Sequence, residues 1–431
     1  MTRSRTTPNV ERVLKAAEDA SPVEAVDAVA RELGMAFGAV AVSFLITDLS
    51  GRALVRLTHV PLSSDPAVAP DALALGERRE HEESATVLPF DGGPHEQAVR
   101  TQTVQVLRTE AAATWTVLAP VTERGESVGV LELHLPEEPG LEVLAEIGRV
   151  AHLLAFVIIA NRRHTDLFEW GQRSRDFTLS AEIQQRLLPE ARTCEAAAFT
   201  LAGWLEPAAS IGGDTFDYSV ARDSLHLSLT DAMGHGVEAA LTASVCLAGL
   251  RGARRRGLSL LEQAAEANSS LWDHAARRSH EDFVTGLVGR LDLGTGSLQI
   301  VNAGHVAPYL LRDGELTVLD LRIGLPFGMF AESAYAVSEV ALVPGDRLLL
   351  VTDGMLERNV AAVDLPSAIR DTQDLHPREV VRALADHALA AAGHALQDDA
   401  TLLCLDWHGE HGDGRGSVSG ADPSRASLAM D

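Results

Sequence analysis

The sequence predicts an α+β protein in two parts, and three observations carry that expectation. Its 431 residues exceed what one ordinary domain of roughly 150 needs. The first part alternates helical spacing with β-rich hairpin signals. After Pro189 the texture changes to many short antiparallel-type strands, separated by glycine–acid turns and accompanied by paired helices.

In the first part, residues 23–37 carry apolar side chains at helical spacing, and residues 40–46 form a β-rich run closed by the turn at 48–51. A second hairpin reads from residues 115–121 and 128–135 around the turn at 123–126. Between them, residues 63–97 are polar and rich in Pro, Gly and acids, which reads as loop. From 141 to 188 the pattern is helical for longer than an ordinary globular helix, with Leu141, Leu144, Ile147, Val150, Leu154, Phe156 and Val157 near one stripe. We read this as a terminal helix continuing into a linker, residues 161–190, which Pro189 stops; an isolated core helix with a frayed end is the other reading.

In the second part, strands are expected at 199–205, 225–230, 283–291, 298–302, 309–311, 348–352 and 401–407. Helices are expected at 237–256, 258–278 and 377–392. Residues 409–431 are poor in apolar side chains and read as a disordered tail.

Composition removes several function classes. With 36 basic against 61 acidic residues and a net charge of -25, nucleic acid or an anionic membrane surface needs a local basic patch. The one dense patch, 251–256, reads as a solvated helix face, so no nucleic-acid partner is expected. Cys194, Cys246 and Cys404 lack CxxC spacing, which argues against a disulfide scaffold or a thiolate zinc site and for a cytoplasmic setting. No signal-peptide pattern opens the chain, and the most apolar run, 150–160, is shorter than the ~20 residues a bilayer needs, so no membrane partner is expected. Lys15 is the only lysine, which excludes P-loop, protein-kinase and pyridoxal chemistry.

Four acidic clusters lie at the ends of expected strands beside small residues. They are Gly212-Gly213-Asp214, Asp231-Ala-Met-Gly-His-Gly236, Thr352-Asp353-Gly354 and Asp398-Asp399-Ala-Thr401. One alone is an ordinary turn, but four fit carboxylates converging on one sheet edge, where they repel unless a cation sits among them. All-oxygen ligation selects Mg²⁺ or Mn²⁺, and two cations could share Asp231 as a bridge. Such a pair suits attack of a bridging water on a phosphoryl centre.

These motifs, with Pro207, Asp217, Phe283-Val-Thr285, Asn302-Ala-Gly-His305, Pro344-Gly-Asp346 and Glu357, follow the order found in the SpoIIE/RsbU-like serine phosphatases, within the metal-dependent type 2C protein phosphatases. The resemblance spans about residues 179–407, including the helical lead-in Ala181-Glu-Ile-Gln-Gln-Arg-Leu-Leu-Pro189. It implies a β-sandwich flanked by helices, holding two Mn²⁺ or Mg²⁺ ions that serve hydrolysis of phosphoserine or phosphothreonine on a protein. Carried over by motif, Asp231 bridges both ions, the Ala232 carbonyl and Asp214 hold one, and Asp353 with Asp398 hold the other; Asp399 is the adjacent alternative. His235 either protonates the leaving serine oxygen or shapes its turn, and His305 is structural or lies near phosphate.

By pattern, residues 1–160 resemble a GAF sensor domain; the absence of cysteine before Cys194 rules out a covalently attached bilin. The implied organisation is a GAF-like α/β sensor over 1–160, the linker over 161–190 and a phosphatase domain over 191–408. The implied substrate is a phosphorylated anti-sigma-factor antagonist of STAS type, with a homodimer formed through the helical linker. A catalytically silent binding module, or a hydrolase of a small phosphorylated molecule, are the alternatives.

Overall fold

A computed structural model describes residues 10–63, 86–109, 114–174, 178–207, 212–278, 282–356, 364–393, 396 and 398–409. The expected disordered tail therefore lies outside the described residues, apart from its first position. The chain divides into two compact units, one running through Asp176 and one over Phe177–Gly414.

The first unit comprises α1 (Val10–Asp19), α2 (Ala25–Phe37), β1 (Ala41–Thr47), β2 (Ala53–Pro61), β3 (Val87–Pro89), α3 (Pro94–Thr101), β4 (Gln105–Thr109), β5 (Thr114–Glu123), β6 (Glu126–Leu135), α4 (Leu141–Asn161) and α5 (Leu167–Gly171). Its six strands form one sheet in the order β3-β2-β1-β6-β5-β4, with antiparallel pairing throughout. Strand alternation sends Val42, Phe44 and Ile46 into the core under α2 and α4, while Leu45 joins a smaller cluster with Ala98 and Val99 of α3. The polar middle read as loop holds β3 and α3 in its described part; both are too short for their periodicity to register, and residues 64–85 lie outside the described residues.

Two expectations about the helical stretch are corrected. The pattern does not continue to 188 as one helix: α4 gives way to a 3-10 turn at Arg162–His164, and Thr165 is extended at φ −154° and ψ 145°. No apolar side chain extends the stripe there, and the Thr165 hydroxyl accepts from the Leu167 N–H to start α5. A second start follows at Thr178, whose hydroxyl accepts from the Ala181 N–H and caps the next helix. The membrane reading also changes, because Leu141–His164 is long and apolar enough, by length and composition, to cross a bilayer. Isolated polar residues had hidden that length. Its Ile147, Ala151, Leu154, Ala155 and Ile158 are buried in the core of the first unit, which accounts for the apolar composition.

The second unit comprises α6 (Leu179–Leu187), β7 (Thr193–Glu195), β8 (Phe199–Glu206), β9 (Thr215–Val220), β10 (Ser224–Ala232), α7 (Gly236–Arg255), α8 (Leu260–Arg278), β11 (Val284–Asp292), β12 (Ser297–Ala303), β13 (Tyr309–Arg312), β14 (Glu315–Val318), β15 (Ile323–Gly324), β16 (Val337–Ala341), β17 (Arg347–Val351), α9 (Leu365–Asp371), α10 (Pro377–Ala391) and β18 (Ala400–Trp407). One sheet runs β15-β12-β11-β10-β9, with β16 also on β12; the other runs β14-β13-β17-β18-β8-β7. Leu227, Leu229 and Leu287 of the first interdigitate with Leu348, Leu350 and Leu403 of the second. The outer faces are covered by α7 and α8 on one side and by α9 and α10 on the other. The result is a four-layer α-β-β-α arrangement, containing every strand and helix expected after Pro189.

The basic patch at 251–256 is corrected as well. Arg251 and Arg254 of α7 are not merely solvated: they bind the two oxygens of buried Asp217 at 2.8 and 3.0 Å, and Arg251 also donates to the Leu187 carbonyl at the end of α6. Antiparallel pairing then places the site. Thr215, opening β9, faces Thr230 near the end of β10, and Val351, ending β17, faces Leu402 near the start of β18.

Candidate metal centre

The four acidic motifs meet at these strand ends. Asp214 immediately precedes β9, Asp231 and Ala232 end β10, Asp353 follows β17, and Asp398 and Asp399 precede β18. Asp214 is 2% exposed; its Oδ2 accepts from the hydroxyls of Thr352 at 2.8 Å and Thr401 at 2.6 Å. Asp399 is buried, its Oδ2 accepting from Gln184 Nε2 at 2.6 Å and the Gly212 N–H at 3.1 Å. Asp398 is half-buried and its Oδ1 accepts from the Asp399 N–H. Asp353 is exposed at the rim.

Glycine makes the convergence sterically possible. A Cβ on Gly213 would lie 2.5 Å from the Ala232 Cβ and 2.7 Å from the Ala232 carbonyl oxygen, and one on Gly354 would collide with the Asp399 carbonyl. Without side chains at these two positions, the backbones of neighbouring motifs touch.

The carboxylates oppose one another's ionisation. Burial, then Asp353, Asp398 and Asp399, push Asp231 up to about 7. Burial, then Asp231 and Asp399, raise Asp214 well above the usual carboxylate range, even though two threonine hydroxyls favour its charge. Burial also raises Asp398, with Asp399 and Asp353 adding to it and His235 opposing them. Among the described residues no three His, Cys, Asp or Glu side chains already form a closed ligand cage. What they form is a cluster of acids in which Asp214, Asp231 and Asp398 have raised proton affinity, and a hard divalent ion bound by oxygen ligands fits that donor set.

His235 is exposed just before α7, within electrostatic range of Asp398. His305 differs from it: buried, its Nδ1 meets the Thr285 hydroxyl at 2.8 Å and its Nε2 the Val351 carbonyl at 3.2 Å. Burial lowers its pKa to about 4, so it is a neutral brace for the strand leading to Asp353. Asp217 and Asp346 also belong to the motifs yet lie in ion pairs, the latter with Arg312 at 2.8 and 2.6 Å. Glu357 lies outside the described residues.

Sequence reasoning missed Gln184. Its amide reaches the Asp214 carbonyl at 2.9 Å as well as Asp399, so α6 touches two of the motifs. The only signal is a polar residue on the buried face of a short helix.

Residues 221–408 match the family model for Stage II sporulation protein E, SpoIIE. The match covers less than half of the chain. Asp214 and Gln184 lie ahead of the matched residues, whereas Asp231, Asp353, Asp398 and Asp399 fall inside the SpoIIE match. The chain is 23% identical over 274 residues to the phosphoserine phosphatase RsbU of Bacillus subtilis, an alignment covering 59% of this chain and 79% of RsbU. Among solved structures, the RsbU and RsbW domains of a Mycobacterium tuberculosis protein are 26% identical with a TM-score of 0.43, covering 49% of this chain and 60% of that one. The PP2C phosphatase domain and regulatory fragment of Bacillus subtilis SpoIIE is 18% identical with a TM-score of 0.43, covering 49% and 65%. The chain thus spans less than two thirds of either solved chain.

Proposed function

We propose that residues 191–408 are a metal-dependent protein phosphatase hydrolysing phosphoserine or phosphothreonine monoesters. The observation that carries this reading is the set of five aspartates from four separate segments, gathered where two sheets end, where burial and neighbouring carboxylates raise the proton affinity of Asp214, Asp231 and Asp398. The SpoIIE match and the likeness to a phosphoserine phosphatase support the reaction class.

In this reading Asp231 and Asp214, the Ala232 carbonyl, Asp353 and Asp398 would hold two Mn²⁺ or Mg²⁺ ions. Asp399 is engaged by Gln184 and the Gly212 N–H, which favours Asp398 as the ligand. When bound, the ions supply an activated water and offset charge on the phosphoryl group. The chain's own residues do the rest. Thr352 and Thr401 fix Asp214, Gln184 fixes Asp399, and His235, exposed before α7, would give a proton to the departing serine oxygen or else shape its turn.

The proposal extends to a GAF-like module over 1–160 acting through residues 161–190, a homodimer formed through that linker, a phosphorylated STAS-type anti-sigma-factor antagonist as substrate, and a cytoplasmic setting. The three cysteines are free and buried, which agrees with a reducing compartment. A silent binding module is the other reading, and the presence of Asp214, Asp231, Asp353 and Asp398 at every acidic motif position speaks against it. Phosphate release from a phosphoserine protein, a chromogenic ester and nucleotides, measured against Mn²⁺ concentration, separates the readings. We expect metal-dependent release, fastest from the phosphoprotein. No turnover at any metal concentration supports the silent module, and preference for nucleotides supports the small-molecule hydrolase.

A further inference from the structure

On the face of the first unit's sheet that α3 covers, Glu132 of β6 is 3% exposed and accepts from three side chains. Its Oε1 takes His134 Nε2 at 2.9 Å and Arg56 Nη2 at 3.3 Å, and its Oε2 takes His95 Nε2 of α3 at 2.9 Å. Burial opposes its charge, but the bonds from His134 and His95 and the Arg56 charge override that and hold it well below the usual carboxylate range.

His59 of β2 belongs to the same face. Ser43 of β1 pairs directly with His59 on one side and with Glu132 on the other, so the three lie in one row across three strands. His59 Nδ1 bonds the Ser43 hydroxyl at 2.9 Å; its Nε2 is buried with no hydrogen-bond partner among the described residues.

We propose that this cluster is a proton-responsive core, in which protonation of His59 loosens the row of β2, β1 and β6 beneath α3. Neutral His59 uses one ring nitrogen and leaves the other idle. A second N–H would be buried with no described acceptor, beside the Arg56 guanidinium on its own strand. Facing it, β6 contributes Glu132 and His134, α3 brings His95 onto Glu132, and β1 contributes uncharged Ser43. The Glu132 carboxylate is already shared by Arg56 and two imidazoles. His134 differs in geometry: its Nδ1 meets the Thr116 hydroxyl and its Nε2 meets Glu132, so both ring nitrogens have partners.

The direction of the effect follows from linkage. Burial, then Arg56, lower the proton affinity of His59, against Glu132 which raises it. A histidine kept neutral by the fold contributes its full stability above the ordinary value of 6.5, and the contribution is lost as pH falls below it. Glu132, held low, gives way only in far stronger acid.

The test is amide hydrogen exchange of the full chain at pH 5.5 and 7.5, corrected for intrinsic exchange. We expect protection of β1, β2 and β6 to fall about tenfold at the lower pH, near the limit for one proton per pH unit, and His59→Gln to show no such fall. Equal protection at both values, or the same fall in the variant, overturns the proposal. The His59 ring resonance of the unaltered chain, followed by NMR, serves even if the variant misfolds. A midpoint below 6.5 is expected, and one at or above 6.5 overturns it.

Discussion

Asp231 shows how the site trades stability for ligand placement. Its pKa in the metal-free fold is about 7, above the ordinary 3.8, so the folded state binds more protons than the unfolded one between those values. Stability of the metal-free second unit is therefore expected to fall as pH rises through this window, and Asp231→Asn to flatten the slope. Protection of β9 and β10 against amide exchange measures it; a rise across the window in the metal-free chain contradicts the electrostatics. Gly213→Ala tests the steric side. Its Cβ would sit 2.5 Å from that of Ala232, so we expect a loss of about 1–3 kcal/mol, whereas an added Cβ at Gly252 meets nothing within 4 Å and should be harmless. Thermal unfolding of both variants decides this. The aspartates were readable because glycine or another small residue stands beside each. Asp346, beside Gly345, carried the same signature but pairs with Arg312, which no local pattern reveals, just as none reveals the pairing of Asp217 with Arg251 and Arg254.

At the level of elements, α6 is the piece that links backbone to chemistry. Gln184 is 2% exposed and gives both amide hydrogens to the site, one to the Asp399 carboxylate and one to the Asp214 carbonyl. Gln184→Ala is expected to raise the Mn²⁺ concentration for half-maximal activity by about tenfold or more, as for other residues that orient ligands. An unchanged half-saturation with a lowered maximal rate argues against this role. Strands with buried apolar cores, such as β8, β10, β17 and β18, were readable; β14 and β16 were not, since their side chains are largely exposed and give no alternation. The broken helix after Asn161 was missed because periodicity carries over turns, while the hydroxyl bonds of Thr165 and Thr178 that restart the helices are local.

Across the whole molecule, the change of texture near Pro189 revealed two parts, yet the compact units divide at Asp176 and Phe177, which puts α6 with the second. The reason is tertiary: Gln184 and the Leu187 carbonyl are held by groups of the second unit that lie far away in sequence. If the first unit governs the second, a chain beginning at Leu179 should differ from the full chain in phosphatase rate at equal Mn²⁺; equal rates remove the regulatory coupling. The central claim, that gathered aspartates hold divalent ions for phosphoester hydrolysis, is tested most directly by phosphate release from a phosphoserine protein with Mn²⁺, comparing the unaltered chain with Asp231→Ala. We predict release that needs the metal and falls at least about a hundredfold in the variant, in the range seen when a key charge-stabilising group is lost, with circular dichroism unchanged. Turnover without metal, or a variant as active as the unaltered chain, would contradict it.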